Sequence, residues 1–164
     1  MKKIKNKTKD KVQNETEVKE KILIVEDDIP VMRAISDKLN REGFKVIEAV
    51  NGKEGLSLAF AEKPDIILLD ILMPVMDGPA MMQKLREDGV WGKTVPIIML
   101  TNLSTAADMK TVKVVIEAEP IYYLVKSNWS MTDVVGKVKE VLDDKKGSKL
   151  AKKIQNSLEN KLRS

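Results

Sequence analysis

The 164-residue sequence contains no histidine and no cysteine, and only 4% of it is aromatic. Those absences exclude a Ser-His-Asp or Cys-His nucleophile pair, a disulfide, and a zinc site with the usual nitrogen or sulfur ligands. Any bound metal must be held by oxygen, which favours magnesium, calcium or manganese. Long apolar runs are missing too. Those present, such as Ile66–Leu69 and Ile97–Leu100, fall far short of the roughly 18 residues of a membrane span. No apolar stretch of signal-peptide length follows the N-terminal lysines. Together these features predict a soluble, cytoplasmic protein with no membrane insertion. Trp91 and Trp129 are too isolated in sequence to form a base-stacking platform.

What is present is charge, in a third of the residues, alongside 43% apolar residues, enough for a core. Its distribution divides the chain. Residues 1–21 carry eight Lys against four acids, and residues 143–164 carry six Lys and one Arg against three. The stretch between them has 14 basic and 18 acidic residues, a net −4. The basic pI of about 9.1 therefore belongs to the tails and predicts no direct nucleic-acid binding by the domain. Residues 1–20 read as a flexible basic arm and 21–142 as the domain. Residues 143–164 read as a basic extension, in which Leu150, Ile154, Leu158 and Leu162 form a stripe at helical spacing.

Five apolar runs punctuate the middle: Ile22–Val25, Phe44–Ile47, Ile66–Leu69, Ile97–Leu100 and Ile121–Val125. The first, third and fourth are apolar throughout, as expected for strands covered on both faces of a parallel sheet. Helical spacing fills the gaps, at Val31–Leu39, Leu56–Phe60, Met81–Leu85, Met109–Ile116 and Val134–Leu142. Gly43, Pro64 and Pro120 stop helices, and Asn51-Gly52 and Asp88-Gly89 mark turns. Alternating strands and helices predict a doubly wound α/β sandwich with right-handed crossovers. Gly92-Lys93-Thr94 resembles the end of a P-loop, but Glu87 stands where a glycine is needed and a strand follows instead of preceding it.

Ligands in an open parallel sheet sit beyond the carboxyl ends of the strands. There the sequence places Glu26, Asp27 and Asp28 after the first run, Asp70 after the third, Thr101 after the fourth and Lys126 after the fifth. Carboxylates forced together need a cation or raised pKa values. Without histidine, a hard divalent ion held by Asp27, Asp70 and Glu26 is the economical answer. A phosphoryl group added beside it would find Lys126 as a point charge and Thr101 as a donor. Asp70, held by a buried strand, is placed to attack phosphorus and form an acyl phosphate.

KILIVEDD (21–28), LLDILMPVMDG (68–78), IIMLTN (97–102) and YYLVKS (122–127) together resemble the blocks of the response-regulator receiver domain of two-component signalling, across about residues 21–142. The resemblance implies a flavodoxin-like, five-stranded parallel sheet with five flanking helices. It implies that Asp70 accepts a phosphoryl group from a sensor histidine kinase or phosphotransfer protein. It further implies Mg2+ held by Glu26, Asp27, Asp70 and the backbone carbonyl of Leu72, with Lys126 binding the phosphoryl group and Thr101 and Tyr123 as the switch pair. The expected protein is a stand-alone regulator, a monomer or a phosphorylation-dependent dimer, acting on a downstream protein effector. It would be no enzyme beyond self-catalysed transfer to its own Asp70. One alternative is a magnesium-dependent aspartate-nucleophile phosphohydrolase. That class needs a second acid two positions after the nucleophile, where Leu72 stands. The other alternative is a degenerate receiver acting as a constitutive binding module.

Several positions depart from the family pattern. Ser127 follows Lys126 where proline with a cis bond is usual; a cis bond to serine costs about 2.5–4 kcal/mol, which favours a trans bond and a shifted loop. Asn102 replaces a small residue, and Glu117-Ala118-Glu119-Pro120 replaces a helix-ending glycine. Leu72 and Leu103, flanking the expected phosphoryl group, are apolar and poor at orienting an attacking water. The phosphorylated chain is therefore expected to decay slowly, and Leu72→Asn to hasten the decay. A time course of the phospho-protein with and without the substitution checks this; rapid loss from the unmodified chain contradicts it.

Overall fold

A computed structural model describes residues 19–102 and 121–162. The arm up to residue 18, Leu103, the helix expected at Met109–Ile116 and its stop at Pro120 lie outside the described residues, as does the side chain of Thr101. Five parallel strands form one sheet: β1 (Lys21–Val25), β2 (Lys45–Ala49), β3 (Ile66–Asp70), β4 (Ile97–Thr101) and β5 (Ile121–Val125). Their spatial order is β2-β1-β3-β4-β5. The chain thus leaves β1 toward one edge and returns to its other side, which makes the gap between β1 and β3 the switch point where ligands bind. The register seats Val25 beside Leu69 and Asp70 beside Leu100, so the strands end nearly level.

Helices cover both faces: α1 (Ile29–Arg41), α2 (Gly52–Glu62), α3 (Gly78–Glu87), α4 (Gly89–Thr94) and α5 (Met131–Leu162). Alternation along each strand sorts the core into two layers. Ile22, Ile24, Ile66 and Leu68 pack with Met32, Ile35 and Leu39 of α1 and Val134, Val138 and Val141 of α5. Leu23, Val25, Ile67 and Leu69 pack with Ala59 of α2 and Met81, Met82 and Leu85 of α3. Each fully buried side chain of this kind contributes roughly 1.5–3 kcal/mol.

Three helices begin with a side-chain cap at the carboxyl edge of the sheet. Asp28 accepts from Val31 N–H at 3.1 Å, Asn51 from Glu54 N–H at 2.9 Å, and Asp77 from Ala80 N–H at 2.8 Å. Such caps satisfy amide donors that the helix leaves unpaired. At the opposite end of α1, Gly43 with φ 95 makes the tight return into β2.

The short helix α4 was expected only as a turn. Gly89, at φ 58, does turn the chain there, but the Arg86 guanidinium donates to the carbonyls of Gly92 (2.6 Å) and Val95 (3.0 Å) and fastens the following residues as one helical turn and more. Burial draws Arg86 down to about 10, still well above neutral pH. Trp91 meets Phe60 edge-on at 6.5 Å. The P-loop-like triplet lies within this helix, ahead of a strand, as its rejection requires.

No break marks residue 143, because α5 runs on to Leu162. Lys145 donates to the Asp65 carbonyl at 2.9 Å and Lys146 pairs with Glu20 at 2.6 Å, so the first part of the extension is tied to the domain. At about 100° per residue, positions 150, 154, 158 and 162 come up on the opposite side of α5 from Val134, Val138 and Leu142; their side chains lie outside the described residues. Among the described residues no helix is long and apolar enough to cross a membrane.

Gly78 opens α3 directly under the end of β3. Its N–H donates to the Ile71 carbonyl at 2.9 Å, and a Cβ on it would collide with the Asp70 carbonyl. Gly78→Ala is expected to cost about 1–3 kcal/mol through overpacking against backbone, measurable as a lower urea midpoint with unchanged slope.

Candidate functional site

Three strand ends converge on one cleft. β1 delivers Glu26 and Asp27, β3 ends in Asp70, and β5 is followed by Lys126 in a single 3-10 turn, Lys126–Asn128. Glu26 is fully buried, Asp70 is 7% exposed, and Asp27 is exposed. Carboxylate oxygens of the three lie within 4.8 Å of one another, the one such cluster among the described residues. Asp28 turns away to cap α1. The Lys126 ammonium stands between the two buried acids, 2.5 Å from Glu26 Oε2 and 3.2 Å from Asp70 Oδ2.

Backbone donors hold the carboxyl groups in place. Asp70 Oδ1 accepts from Ile71 N–H at 2.8 Å, and Glu26 Oε1 accepts from Asp28 N–H at 3.2 Å. Burial pushes both carboxyls above the ordinary range and outweighs the pull of Lys126; each acid also faces the other. Burial alone would draw Lys126 down, but its two acidic partners prevail and raise it. Burying like charges together is the arrangement that shifts pKa values at functional sites.

The loop after Asp70 is strained and tightly pinned. Met76 N–H donates to the Pro74 carbonyl at 2.8 Å across Val75, a γ-turn whose central residue has φ 71. A β-branched residue in that region is costly. The turn is held because the Met76 carbonyl accepts from Gly52 N–H at 3.0 Å, a contact so close that a Cβ on Gly52 would overlap that oxygen. Leu72, 68% exposed, lies on the rim, so its side chain offers nothing polar to the cleft.

The cluster fits a hard divalent cation. It brings three carboxyl groups and one ammonium together, and Glu26 Oε2 is buried with the Lys126 ammonium 2.5 Å away. All donors are oxygen, as magnesium prefers. The Leu72 carbonyl implied as a further ligand belongs to a residue lining the same cavity.

The cavity has a volume of about 470 Å³, and its lining includes all four of these charged residues and the exposed Asn102. It also has an apolar wall of Val31, Leu72, Trp129 and Met131. That wall was not foreseen: Trp129 looks solitary in sequence, although its position three residues after Lys126 was a usable signal. Thr101 ends β4 opposite Val125. Tyr123 is half-buried against the layer of α2 and α3 and its phenol is raised by burial.

Comparison with known proteins agrees with this geometry. Residues 22–139 match the family model of the response regulator receiver domain. A probable transcriptional regulator, ycf27 of Guillardia theta, is 42% identical over 95 residues, 58% of this chain and 36% of that protein. The match thus spans about a third of the length of the curated relatives. Among solved structures, the Vibrio cholerae chemotaxis protein CheY4 has a TM-score of 0.66 at 28% identity, covering 75% of this chain and 98% of that one. The receiver domain of the sensor histidine kinase PA1611 from Pseudomonas aeruginosa, with a magnesium ion coordinated in its active site cleft, has a TM-score of 0.68 at 26% identity, covering 76% and 98%. With nearly three quarters of its length matched and the five-stranded fold shared, the chain belongs to the response regulator receiver domain family.

Proposed function

We propose that this receiver takes a phosphoryl group onto Asp70 from a sensor histidine kinase or phosphotransfer protein and signals through protein contacts. One observation carries the reading: a buried carboxyl group at a strand end, 3.2 Å from a lysine and clustered with two further acids. Transfer joins an Asp70 oxygen to phosphorus as the donor's bond to phosphorus breaks and the electron pair leaves with the donor. Glu26, Asp27, Asp70 and the Leu72 carbonyl would hold Mg2+, which supplies charge neutralisation for the phosphoryl oxygens. Lys126 then supplies a second positive charge, already desolvated and aimed at Asp70, so little reorganisation is needed as charge builds up. Ile71 N–H keeps one Asp70 oxygen fixed, leaving the other toward Lys126 and the cavity.

Thr101 and Tyr123 are assigned as the switch. Thr101 stands at the end of β4, and Tyr123 on the neighbouring strand is only half-buried, so a hydroxyl drawn toward a phosphoryl group leaves room for the ring to follow. That is a local charge event biasing a two-state element. Self-catalysed transfer is the full extent of the chemistry proposed. A phosphohydrolase would need an acid at position 72, and the residue there is apolar. The acidic middle of the chain supports output through proteins and not through direct nucleic-acid contact. The regulators of transcription it resembles carry that description over proteins much longer than the matched segment.

Incubation with magnesium and acetyl phosphate should raise the intact mass by one phosphoryl group, and Asp70→Asn should abolish the gain. Steady phosphate release without a mass gain would support the hydrolase, and no reaction the degenerate receiver. Magnesium should also raise the melting temperature in proportion to the logarithm of its concentration above Kd. Asp27→Asn should remove most of that rise while leaving the metal-free melting temperature nearly unchanged, because Asp27 is exposed. Differential scanning calorimetry with and without EDTA checks both outcomes.

A further inference from the structure

α5 runs from the carboxyl edge of the sheet, after Lys126, back to the amino edge. There Lys145 donates to the Asp65 carbonyl just ahead of β3, and Lys146 pairs with Glu20 just ahead of β1. The chain before β1 enters at that same edge. Residues 1–21 and 143–164 each carry a net +4, and the stretch between them a net −4. Both basic tails therefore leave the domain from one pole, and the acid cluster of Glu26, Asp27 and Asp70 stands at the other.

The core takes Val134, Val138, Val141 and Leu142 from α5, and the helix continues to Leu162. At about 100° per residue, Leu150, Ala151, Ile154, Leu158 and Leu162 take register positions within one arc of about 120°, interrupted by Lys161 alone. Lys149, Lys152 and Lys153 take positions on the remaining arc, where Glu159 is the one acid between residues 149 and 162. A two-stranded coiled coil needs apolar residues alternately three and four apart to keep a narrow seam. Steps of four spread the arc instead, and two such helices would bring like charges together. A nucleic acid would engage the lysines and leave the apolar arc in water. A broad apolar face bordered by lysines matches a surface that is anionic outside and apolar beneath.

We infer that the extension of α5, with the basic N-terminal arm beside it, docks the protein onto an anionic lipid surface. The helix lies in the headgroup plane with its apolar arc toward the acyl chains, and does not cross the bilayer. Docking by this pole leaves the Asp70 cleft facing away from the lipid, open to partners in solution. The inference stands apart from phosphoryl transfer to Asp70. Each lysine near such a surface strengthens binding roughly fivefold, and added salt screens that contribution.

The test is co-sedimentation of the full chain with vesicles of phosphatidylcholine alone, or of equal parts phosphatidylcholine and phosphatidylglycerol. Affinity for the mixed vesicles should exceed that for the neutral ones by about tenfold or more, and should fall as salt rises. Lys152→Gln combined with Lys153→Gln should weaken it about tenfold or more. Ile154→Gln combined with Leu158→Gln should do the same by removing apolar contact, with the melting temperature unchanged. No binding, or equal affinity for both vesicle types, overturns the inference. So does binding that survives Ile154→Gln with Leu158→Gln, which would be adsorption by charge alone. A lowered melting temperature in that variant would mean that the arc packs on the domain itself, and also overturns it. Sedimentation velocity without lipid is the parallel measurement: a dimer that the same pair of substitutions dissolves assigns the arc to a second copy and overturns lipid docking. Tighter binding to duplex DNA than to the mixed vesicles at equal ionic strength overturns it too.

Discussion

Three carboxyl groups and a single ammonium meet at the carboxyl edge of the sheet, and the ammonium does not balance them. Lys126 lies within ion-pair distance of both Glu26 and Asp70, yet burial still holds both acids above their ordinary pKa range. The pairing makes the buried acids tolerable without making the site neutral. An isolated buried carboxylate would cost far more than a fold can supply, whereas an overcompensated one would have no reason to attract a cation. A residual deficit of positive charge beside clustered carboxylate oxygens is an arrangement that suits a hard divalent ion.

That electrostatic compromise depends on backbone held to close tolerance. Asp70 is positioned from behind by β3, in front by its own contact with Ile71 N–H, and from below by Gly78, which leaves no space for a methyl group. The loop between them is pinned at Gly52 and bends through a γ-turn at Val75. A costly conformation persists here because its neighbours fix both ends. The same loop then places Asp77 as the cap of α3, so the segment that shapes the cleft also starts a helix of the core. Stability and function share these few residues.

The order of strands and helices could be read from apolar runs and helical spacing alone. β5 matches its run residue for residue, and β1, β3 and β4 differ from theirs by one. β2 lies one residue later at its start and two at its end, because Phe44 is core material in the return from α1 and not part of the strand ladder. Asp27, Asp70 and Lys126 were legible as strand-end residues, since a doubly wound sheet places strand ends together whatever their separation in sequence. The short helix α4 was not legible: six residues carry too little periodicity, and what stabilises it is Arg86, reaching from the preceding helix to two carbonyls. The apolar wall of the cleft was equally hidden, as Val31, Leu72 and Trp129 come from three separate segments and share no pattern.

By itself, the sequence determined the chemistry available to this protein: no sulfur or imidazole ligands, acids and one lysine at the ends of buried strands, and basic residues concentrated in the tails. Composition and period are local quantities, and they suffice for element type and for the identity of strand-end residues. Tertiary structure decided which of those acids share one charge environment, that Asp28 serves as a cap while Glu26 is buried, and that an indole lines the same cavity as Asp70. These outcomes depend on distance and burial between segments remote in the chain, and neither quantity exists until the sheet has brought those segments together.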